Sequence, residues 1–468
     1  MLSIGESNDR ITRRAMMTIG GLGFGGLTLA NLLAAKSQAA ASSGSLTTGK
    51  SVIFLLQHGG PTQFETFDPK LDVPDAIRTV GGVTQTSVPG TIFGSAMPGL
   101  ARHADKLAVV RSYSTGSGAH SNRPLITKAS VDANIGSLYA RFAGSNDVES
   151  GLPTNVALYP NSIDPTALGP DERFGKLATT GDLGSAYTPF APGGGSDLQR
   201  NMTLALPRNR FHDRRALLSS LDRLRRKLDA SGTMEGVDKF RQQALDMVLR
   251  GVGSAFDLSQ EDPKTIARYD TGQYVDETGY ADKSNGAKSR RWYQTNAQTL
   301  GKQLLLARRL CESGCGFVTI ATRFVWDMHA DTNNIGVERG MDAVIRPFDH
   351  AITAFIEDCE ERGIADDILL VTVGEMGRTP KINKRGGRDH WGRLAPLMMY
   401  GGGISRGQVI GQSTVDGGAP QAGAVGTEHL VSTILHTLLD IGELRLRTKF
   451  PNDLMQLASS GTPIPGLF

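Results

Sequence analysis

Residues 51–57 read SVIFLLQ and run directly into His58, Gly59 and Gly60. A short, almost wholly apolar run that ends at glycine is typical of a strand buried on both faces of a parallel sheet. Comparable apolar runs follow at residues 107–112, 152–159, 316–322, 367–373 and 395–400. Helical spacing of apolar residues appears at residues 291–312, from 341 to a stop at Gly363, and at 428–439. This alternation predicts an α/β fold with a mostly parallel sheet sandwiched between helices.

Composition excludes several classes of protein. The chain has 468 residues, of which 21% are charged, and a net charge of only +3, so it lacks the basic field of a nucleic-acid-binding protein. Its 57 glycines and 21 prolines are too few for a low-complexity chain. Three cysteines in a chain of this length exclude a disulfide scaffold. The composition therefore predicts a globular protein with no nucleic-acid partner.

The amino-terminal segment resembles an export signal. Arg13 and Arg14 precede an uncharged run at residues 15–35, whose glycines make it less hydrophobic than a membrane span. Paired arginines before such a run are typical of a twin-arginine signal. We predict a twin-arginine signal peptide at residues 1–41, either cleaved or kept as a membrane anchor, and a linker at 42–50. The twin-arginine translocation machinery is then a partner, and the mature protein is periplasmic or extracellular.

The rest of the chain divides into three parts by composition. Residues 51–160 and 301–468 carry the apolar strand patterns and are predicted to form two parts of one α/β core. Residues 161–300 include a highly charged amphipathic helix at 211–230 and a polar stretch with no clear period. We interpret this middle part as a helical and loop insertion, or cap, on the core.

Histidines and carboxylates follow the predicted strands, and ligands of parallel sheets collect at the carboxyl ends of strands. Such donors suit zinc, manganese or a similar divalent ion, and two clusters of them suit a pair of ions. The predicted metal ligands are His58, Asp68, Asp327, His329, Glu375, Asp389 and His390. Short combinations of Asp and His also occur at protein surfaces. The prediction of a metal site therefore depends on whether the fold brings these side chains together.

Residues 112–123 form a Ser/Thr/Gly-rich loop where a hydroxyl nucleophile is expected. The catalytic candidates are Thr115, Ser117, His120, Ser121 and Arg378. Spacing does not choose among the hydroxyls, and a plain Ser/Gly-rich turn is an open alternative. Arg378 either holds the oxygens of an anionic substrate or pairs with Glu375.

Several motifs together resemble one family. They are the paired arginines, His58-Gly59-Gly60-Pro61 with Phe67-Asp68-Pro69-Lys70, Trp326-Asp327-x-His329, the helix at Asp342, Gly374-Glu375-x-Gly377-Arg378-Thr379-Pro380, Gly387-Arg388-Asp389-His390-Trp391 and Gly401-Gly402-Gly403. In this order they resemble the domain of unknown function 1501 family. That family is placed in the alkaline phosphatase-like superfamily with sulfatases and cofactor-independent phosphoglycerate mutases. The resemblance implies this fold and a divalent metal such as zinc, manganese or calcium.

The chain also departs from the superfamily pattern. His58 stands where a metal-binding aspartate is usual, Glu375 with Met376 replaces the usual Asp-His, and residues 112–123 lack a sulfatase Cys-x-Pro-x-Arg. The resemblance and these departures together leave two possible functions. The first is an exported metal-dependent hydrolase of a phosphate or sulfate ester, with a small-molecule or carbohydrate substrate. The second is a catalytically degenerate envelope protein that binds a polyanion or a partner.

Two further features carry expectations about structure. Glycines such as those at 59–60 and 401–403 follow predicted strands, and we expect them to border the site. Cys311, Cys315 and Cys359 are predicted to be buried thiols, with a Cys311–Cys315 disulfide as the alternative for an exported protein.

Overall fold

The computed structural model describes residues 45–193, 210, 252–275, 289–447 and 451–468. In chain order its strands are β1 (Ser51–Leu56), β2 (Val83–Gln85), β3 (Ile92–Gly94), β4 (Leu107–Val110), β5 (Asn155–Leu158), β6 (Phe317–Ala321), β7 (Ile368–Val373), β8 (Gly377–Ile382), β9 (Arg388–Trp391), β10 (Leu397–Gly401), β11 (Gln408–Ile410), β12 (Gln412–Ser413) and β13 (Pro420–Ala422). Seven of them form the central sheet in the order β11-β4-β10-β7-β1-β6-β5. The six apolar runs predicted as strands are therefore confirmed as strands of this sheet.

The central sheet is mostly parallel. Strand β1 pairs in parallel with β6 on one side and β7 on the other, so that Leu56 lies beside Ala321 and Val373. Strand β5 continues the parallel sheet beyond β6, and β11 is parallel to β4. The carboxyl ends of β1, β6 and β7 therefore meet at one edge of the sheet, where polar side chains were predicted to collect.

Strand β10 runs the other way and corrects one expectation. It is antiparallel to both β4 and β7. Gly401, Gly402 and Gly403 consequently lie at the opposite edge from the candidate site, where a Cβ on Gly401 would meet the carbonyl oxygens of Ile368 and Ala365. All three adopt positive φ angles, of 76°, 65° and 76°, in a tight turn. The triple glycine serves this turn and does not border the site.

Helices cover both faces of the sheet. They are α1 (Pro98–Arg102), α2 (Ile135–Ala143), α3 (Pro263–Arg268), α4 (Arg290–Glu312), α5 (Val337–Gly340), α6 (Arg346–Arg362), α7 (Thr427–Leu438), α8 (Ile441–Leu446) and α9 (Asn452–Ser460). Helices α4 and α6 contribute to the core on one face, and α2 and α7 to the core on the other. A sheet covered in this way explains why its strands are apolar on both sides.

Alternate residues of β1 pack into the two cores. Ile53 and Leu55 belong to the core with α4 and α6, while Val52, Phe54 and Leu56 belong to the core with α2 and α7. All five side chains are at most 1% exposed. The α/β sandwich predicted from the apolar runs is thereby confirmed.

The helix predicted from residue 341 begins earlier and is interrupted. A short helical turn, α5, precedes a π-helical segment at Met341–Ile345, and regular helix resumes in α6. Helix α6 ends before Gly363, as predicted. The apolar spacing of this segment shows which side is buried, but it does not distinguish π from α hydrogen bonding.

Several predictions fall outside the described residues. Among them are the export signal at 1–41, residues 42–44 of the linker at 42–50 and the charged helix at 211–230. The described parts of 161–300 include α3 and the first turns of α4, and Phe190 bridges to Val156 of β5. The division into domains stays a prediction.

Two observations concern the whole described chain. Within its described ranges, no helix has the length and apolar character needed to cross a bilayer. Cys311, Cys315 and Cys359 are free and buried. The buried-thiol interpretation is confirmed, and the structure contains no Cys311–Cys315 disulfide.

Candidate metal centre

Five segments meet at the carboxyl edge of the sheet. Strands β1, β6 and β7 lead into His58, Asp327 and Glu375, respectively. The loop after β4 brings His120 over this edge, and β9 brings His390. These segments are distant in the chain, but the parallel pairing of adjacent strands places their ends side by side.

Asp327 is the centre of the group. His390 Nε2 lies 3.1 Å from Asp327 Oδ1, and His120 Nε2 lies 3.3 Å from Asp327 Oδ2. One donor atom from each of these three residues lies within 4.8 Å of the others, a spacing that suits a shared metal ion. His329 Nε2 is 3.0 Å from Asp327 Oδ2 and borders the same carboxylate. The structure thus brings together four of the residues predicted for the site.

Glu375 reaches His120 from the other side. This carboxylate is fully buried and accepts hydrogen bonds from the backbone N–H of Gly59, with distances of 2.9 and 3.1 Å to its two oxygens. His120 Nδ1 lies 2.9 Å from Glu375 Oε1. With Nδ1 directed to Glu375, Nε2 faces Asp327. Such a carboxylate contact is typical of a histidine that binds a metal through its second nitrogen.

Gly59 is required by close packing at this point. Its φ is +112°, and a Cβ there would lie 2.4 Å from the backbone nitrogen of Asp327. Only glycine combines that backbone conformation with that approach. The glycine after β1 therefore lets Asp327 and Glu375 lie against the end of the strand.

Arg378 is turned into the protein. Its side chain is fully buried and its Nη2 lies 2.7 Å from Asp327 Oδ1. The guanidinium also donates to the carbonyl oxygens of Gly59, Gly60, Trp326 and Arg388. Of the two predicted roles, the structure shows a pairing, with Asp327 and not with Glu375. The charge of Arg378 compensates Asp327 at the back of the site.

His58 lies beneath the loop that carries His120. It is 1% exposed, its ring stacks on Phe324 with 4.2 Å between centroids, and its Nε2 lies 3.3 Å from the carbonyl oxygen of Ser121. Burial lowers the pKa of His58, although Glu375 opposes this shift. The ring is therefore neutral at pH 7 and lies outside the His120–Asp327–His390 group.

The candidate hydroxyls lie along the loop on either side of His120. Thr115 Oγ1 donates to the carbonyl oxygen of Ser117, and Ser117 Oγ accepts from the backbone N–H of Ala119 at 3.2 Å. Ser121 Oγ accepts a long hydrogen bond, 3.4 Å, from the N–H of Arg123. Of these three residues, Ser121 lines a cavity next to His120.

Two predicted ligands lie apart from the group. Asp68 pairs with Lys70 at 3.0 Å and Arg111 at 3.5 Å, and it accepts a hydrogen bond from Ser413. Asp389 is exposed and accepts from Asn383 at 2.9 Å, because side chains alternate along β9 and His390 faces the other way. Neither carboxylate belongs to the His120–Asp327–His390 group.

Three residues of the site were not predicted. Asn334 donates to Asp327 Oδ2 at 3.0 Å and lies 3.2 Å from His329 Nε2, so it orients both. Phe324 packs against His58 and His120. Arg388 begins β9 and is fully buried against Glu65. Arg388 belongs to the sequence motif around His390. Its partner Glu65 lies 323 positions away, so the sequence did not indicate the pairing.

The charges of the group are strongly coupled. Burial disfavours a charged Asp327, but hydrogen bonds from His120, His329 and His390 and the charge of Arg378 outweigh it and hold the pKa of Asp327 far below its usual value. Burial also disfavours a charged His120, but Asp327 and Glu375 outweigh it and raise the pKa of His120 to about 9. Without a metal, His120 is therefore a cation between two carboxylates at pH 7.

This coupling predicts a pH dependence of stability for the metal-free protein. The pKa of His120 in the folded protein, about 9, exceeds the ordinary histidine pKa of about 6.5. The stabilisation is therefore fully present below about pH 6.5 and is lost as the pH rises through about 9. Urea unfolding in EDTA should give a free energy that falls over this range, and His120→Gln should flatten the profile. Equal pH profiles in the two proteins would contradict the assignment.

The donor chemistry fits a divalent metal ion. Imidazole nitrogens with one carboxylate are ligands that zinc and manganese accept. The ring of His120 is oriented by Glu375, and Asp327 is oriented by Asn334 and Arg378. Binding would require His120 to give up its proton, so affinity should rise with pH.

Comparisons with known proteins place the chain in a family. The family model described as "Protein of unknown function (DUF1501)" matches residues 49–468. No curated protein sequence matches the chain.

Solved structures give distant similarities. The PsFucS1 sulfatase from Pseudoalteromonas sp. is 12% identical, with a TM-score of 0.35, over 87% of this chain and 71% of that one. A phosphonate monoester hydrolase of Agrobacterium radiobacter is 12% identical, with a TM-score of 0.30, over 89% and 78%. The alkaline phosphatase from the Antarctic bacterium TAB5 is 12% identical, with a TM-score of 0.25, over 75% and 92%. At such TM-scores the similarities assign no activity to this chain.

Proposed function

The chain belongs to the DUF1501 family of proteins of unknown function, and we propose that it is a metal-dependent hydrolase of phosphate or sulfate esters. One observation carries the proposal. Donor atoms of His120, Asp327 and His390 converge within 4.8 Å at the carboxyl edge of a mostly parallel sheet. The type of reaction is proposed from the resemblance of the surrounding motifs to the DUF1501 family, which is placed in the alkaline phosphatase-like superfamily.

In this proposal each residue of the site has a separate task. His120, Asp327 and His390 would hold the ion, His329 contacts the Asp327 carboxylate, and Glu375 fixes the ring of His120 through Nδ1. A divalent ion bound there would act as a Lewis acid on an ester oxygen. Arg378 balances the charge of Asp327 from behind. The reaction consumes one water and releases an alcohol and inorganic phosphate or sulfate.

We propose Ser121 as the first candidate for the attacking hydroxyl. It follows His120 directly and lines the cavity beside it. Its backbone carbonyl is held by His58, which positions the loop. Thr115 and Ser117 remain the alternatives, and single alanine replacements of the three hydroxyls would separate them. Retention of full turnover in Ser121→Ala would exclude Ser121.

A second candidate is a protein that binds a polyanion or partner without turnover. The orientation of Arg378 favours this alternative, because its guanidinium is engaged by Asp327 and by backbone carbonyl oxygens and is not free to hold the oxygens of a reacting ester. This alternative keeps the fold and the charge of the site but forms no product. Turnover by the wild-type protein decides between the two candidates.

The assay that tests the proposal uses aryl phosphate and aryl sulfate as substrates. We expect the purified protein, loaded in turn with zinc, manganese and calcium, to hydrolyse one of them and to lose that activity in EDTA. Restored turnover after metal is added back would tie the reaction to the ion. Absence of turnover with every metal and both substrates would favour the binding protein.

We also propose export through the twin-arginine machinery. The support is the sequence of residues 1–41, with Arg13 and Arg14 before an uncharged run. A change of both arginines to lysine should leave the full-length protein in the cytoplasmic fraction of expressing cells. Export of that variant at the wild-type level would overturn this proposal.

A further inference from the structure

Arg173 lies close to the metal centre and belongs to the segment predicted to be an insertion on the core. Its Cζ lies 5.7 Å from the ring centroid of Phe174 and 5.7 Å from that of Phe324. Both rings also contact the ring of His120, each with 4.9 Å between centroids. Arg173 and a candidate metal ligand therefore pack on the same two aromatic rings.

Asp171 holds the guanidinium of Arg173 along one edge. Arg173 Nε donates to both oxygens of Asp171, at 2.9 and 3.1 Å, and Nη2 donates to Oδ2 at 2.7 Å. Trp292 adds a third ring, with its centroid 5.6 Å from Arg173 Cζ. A guanidinium that is bound by a carboxylate and packed over three rings has its direction fixed before a ligand binds.

The other edge of this guanidinium is available to a ligand. Within the described part of the chain, Arg173 Nη1 has no hydrogen-bond partner, and Nη2 binds only Asp171. The Arg173 side chain is 60% exposed, whereas that of Asp171 is 4% exposed. Nη1 and Nη2 together present two parallel N–H groups, which match two oxygens of a phosphate or sulfate group.

Two other arginines near the centre are engaged by the protein. Arg378 is fully buried behind the carboxylate of the metal group. Arg323 pairs with the same Asp171 at 3.2 Å, donates to the carbonyl oxygen of Gly169, and has a side chain that is only 16% exposed. Of these three arginines, Arg173 alone is both oriented and exposed.

From these contacts we propose that Arg173 is the arginine that binds the non-bridging oxygens of a phosphate or sulfate group held at the metal centre. Asp171 is then a positioning residue, because it directs the guanidinium. The anion-binding role predicted for Arg378 passes to Arg173, so the predicted insertion at 161–300 contributes to the site. The inference rests on the proposed function, since it concerns the ester group of the same reaction. Binding of the free anion can nevertheless be measured without hydrolysis.

The test is calorimetric titration of the zinc-loaded full-length protein with inorganic phosphate and with inorganic sulfate. We expect at least one of the two anions to bind, and Arg173→Gln to weaken its binding about tenfold, because a charged two-point contact is lost. Arg173→Lys keeps the charge without the paired N–H groups and should weaken binding about threefold. The affinity for zinc should fall by less than about twofold in both variants, which separates loss of the anion contact from loss of structure.

Arg406→Gln is the matched control. Arg406 pairs with Asp366 just before β7 begins, at the opposite edge of the sheet from the metal centre, and its side chain is 31% exposed. The control removes the same charge from another arginine–aspartate pair. We expect it to change anion binding by less than about twofold.

Anion binding by Arg173→Gln at the wild-type level would overturn the inference, as would absence of binding of both anions by the wild-type protein. Equal losses in Arg173→Gln and Arg406→Gln would show attraction by overall charge and would also overturn it. The proposed function fails separately. A protein whose anion binding depends on Arg173 but that hydrolyses no ester keeps this anion site and loses the hydrolase assignment, whereas ester turnover that is unchanged in Arg173→Gln keeps the hydrolase and removes Arg173 from its site.

Discussion

Replacement of Asp327 by Asn is expected to lower ester turnover by more than about a hundredfold, since loss of residues that only orient ligands already costs about 10- to 100-fold. The amide has the size of the carboxylate but removes the negative charge that His120, His390 and Arg378 surround. The affinity for the divalent ion should fall in parallel. Steady-state kinetics and metal titration of the same preparations provide the measurement.

Asp389→Asn is the matched control. Asp389 neighbours His390 in the chain, but it is exposed and bonded to Asn383. The two substitutions have the same chemistry and differ only in whether the carboxylate faces the centre. We expect wild-type turnover and metal affinity in the control. Equal losses in both variants, or none in Asp327→Asn, would contradict the assignment of Asp327.

Replacement of Arg388 by Met is expected to lower the free energy of unfolding by about 3–5 kcal/mol, the usual cost of removing one partner of a buried ion pair. Arg388 and Glu65 are both fully buried, and Arg388 Nη2 lies 2.8 Å from Glu65 Oε1. The guanidinium also packs over the ring of Phe64, 4.1 Å from its centroid. Because Arg388 begins β9, its loss should also disturb His390. Urea unfolding of the metal-free protein measures the effect.

The double variant Glu65→Gln with Arg388→Met controls for the buried charge. Burying an uncharged amide at position 65 without Arg388 costs less free energy than burying an unpaired Glu65 carboxylate. The double variant should therefore recover part of the lost stability. If the double variant is less stable than Arg388→Met by the full effect of a second independent change, the two residues do not act as a pair.

The fold could be predicted from its strands because each is an apolar run bounded by polar residues or glycine. The pattern in β1 reflects burial on both faces, which is a local property of the sequence. The direction of β10 is not local. Its apolar run is compatible with either direction, and only its pairing with β4 and β7 shows that it is antiparallel. The prediction that Gly401–Gly403 borders the site was therefore wrong.

The site could be predicted as a set of donors but not as an arrangement. Strand ends pointed to Asp327 and Glu375, because the carboxyl ends of parallel strands lie together. Which nitrogen of His120 meets which carboxylate depends on how the loop at 112–123 lies, and spacing carries no such information. The inward turn of Arg378 likewise depends on four carbonyl oxygens from distant segments.

The central claim is that His120, Asp327 and His390 bind one divalent ion. Anomalous X-ray scattering at the zinc edge, from crystals of the wild-type protein grown with zinc, tests it most directly. We predict a peak about 2.0–2.2 Å from a ring nitrogen of His120, a ring nitrogen of His390 and an oxygen of Asp327. Density showing zinc only elsewhere, with the three side chains still hydrogen-bonded to one another, would contradict the claim.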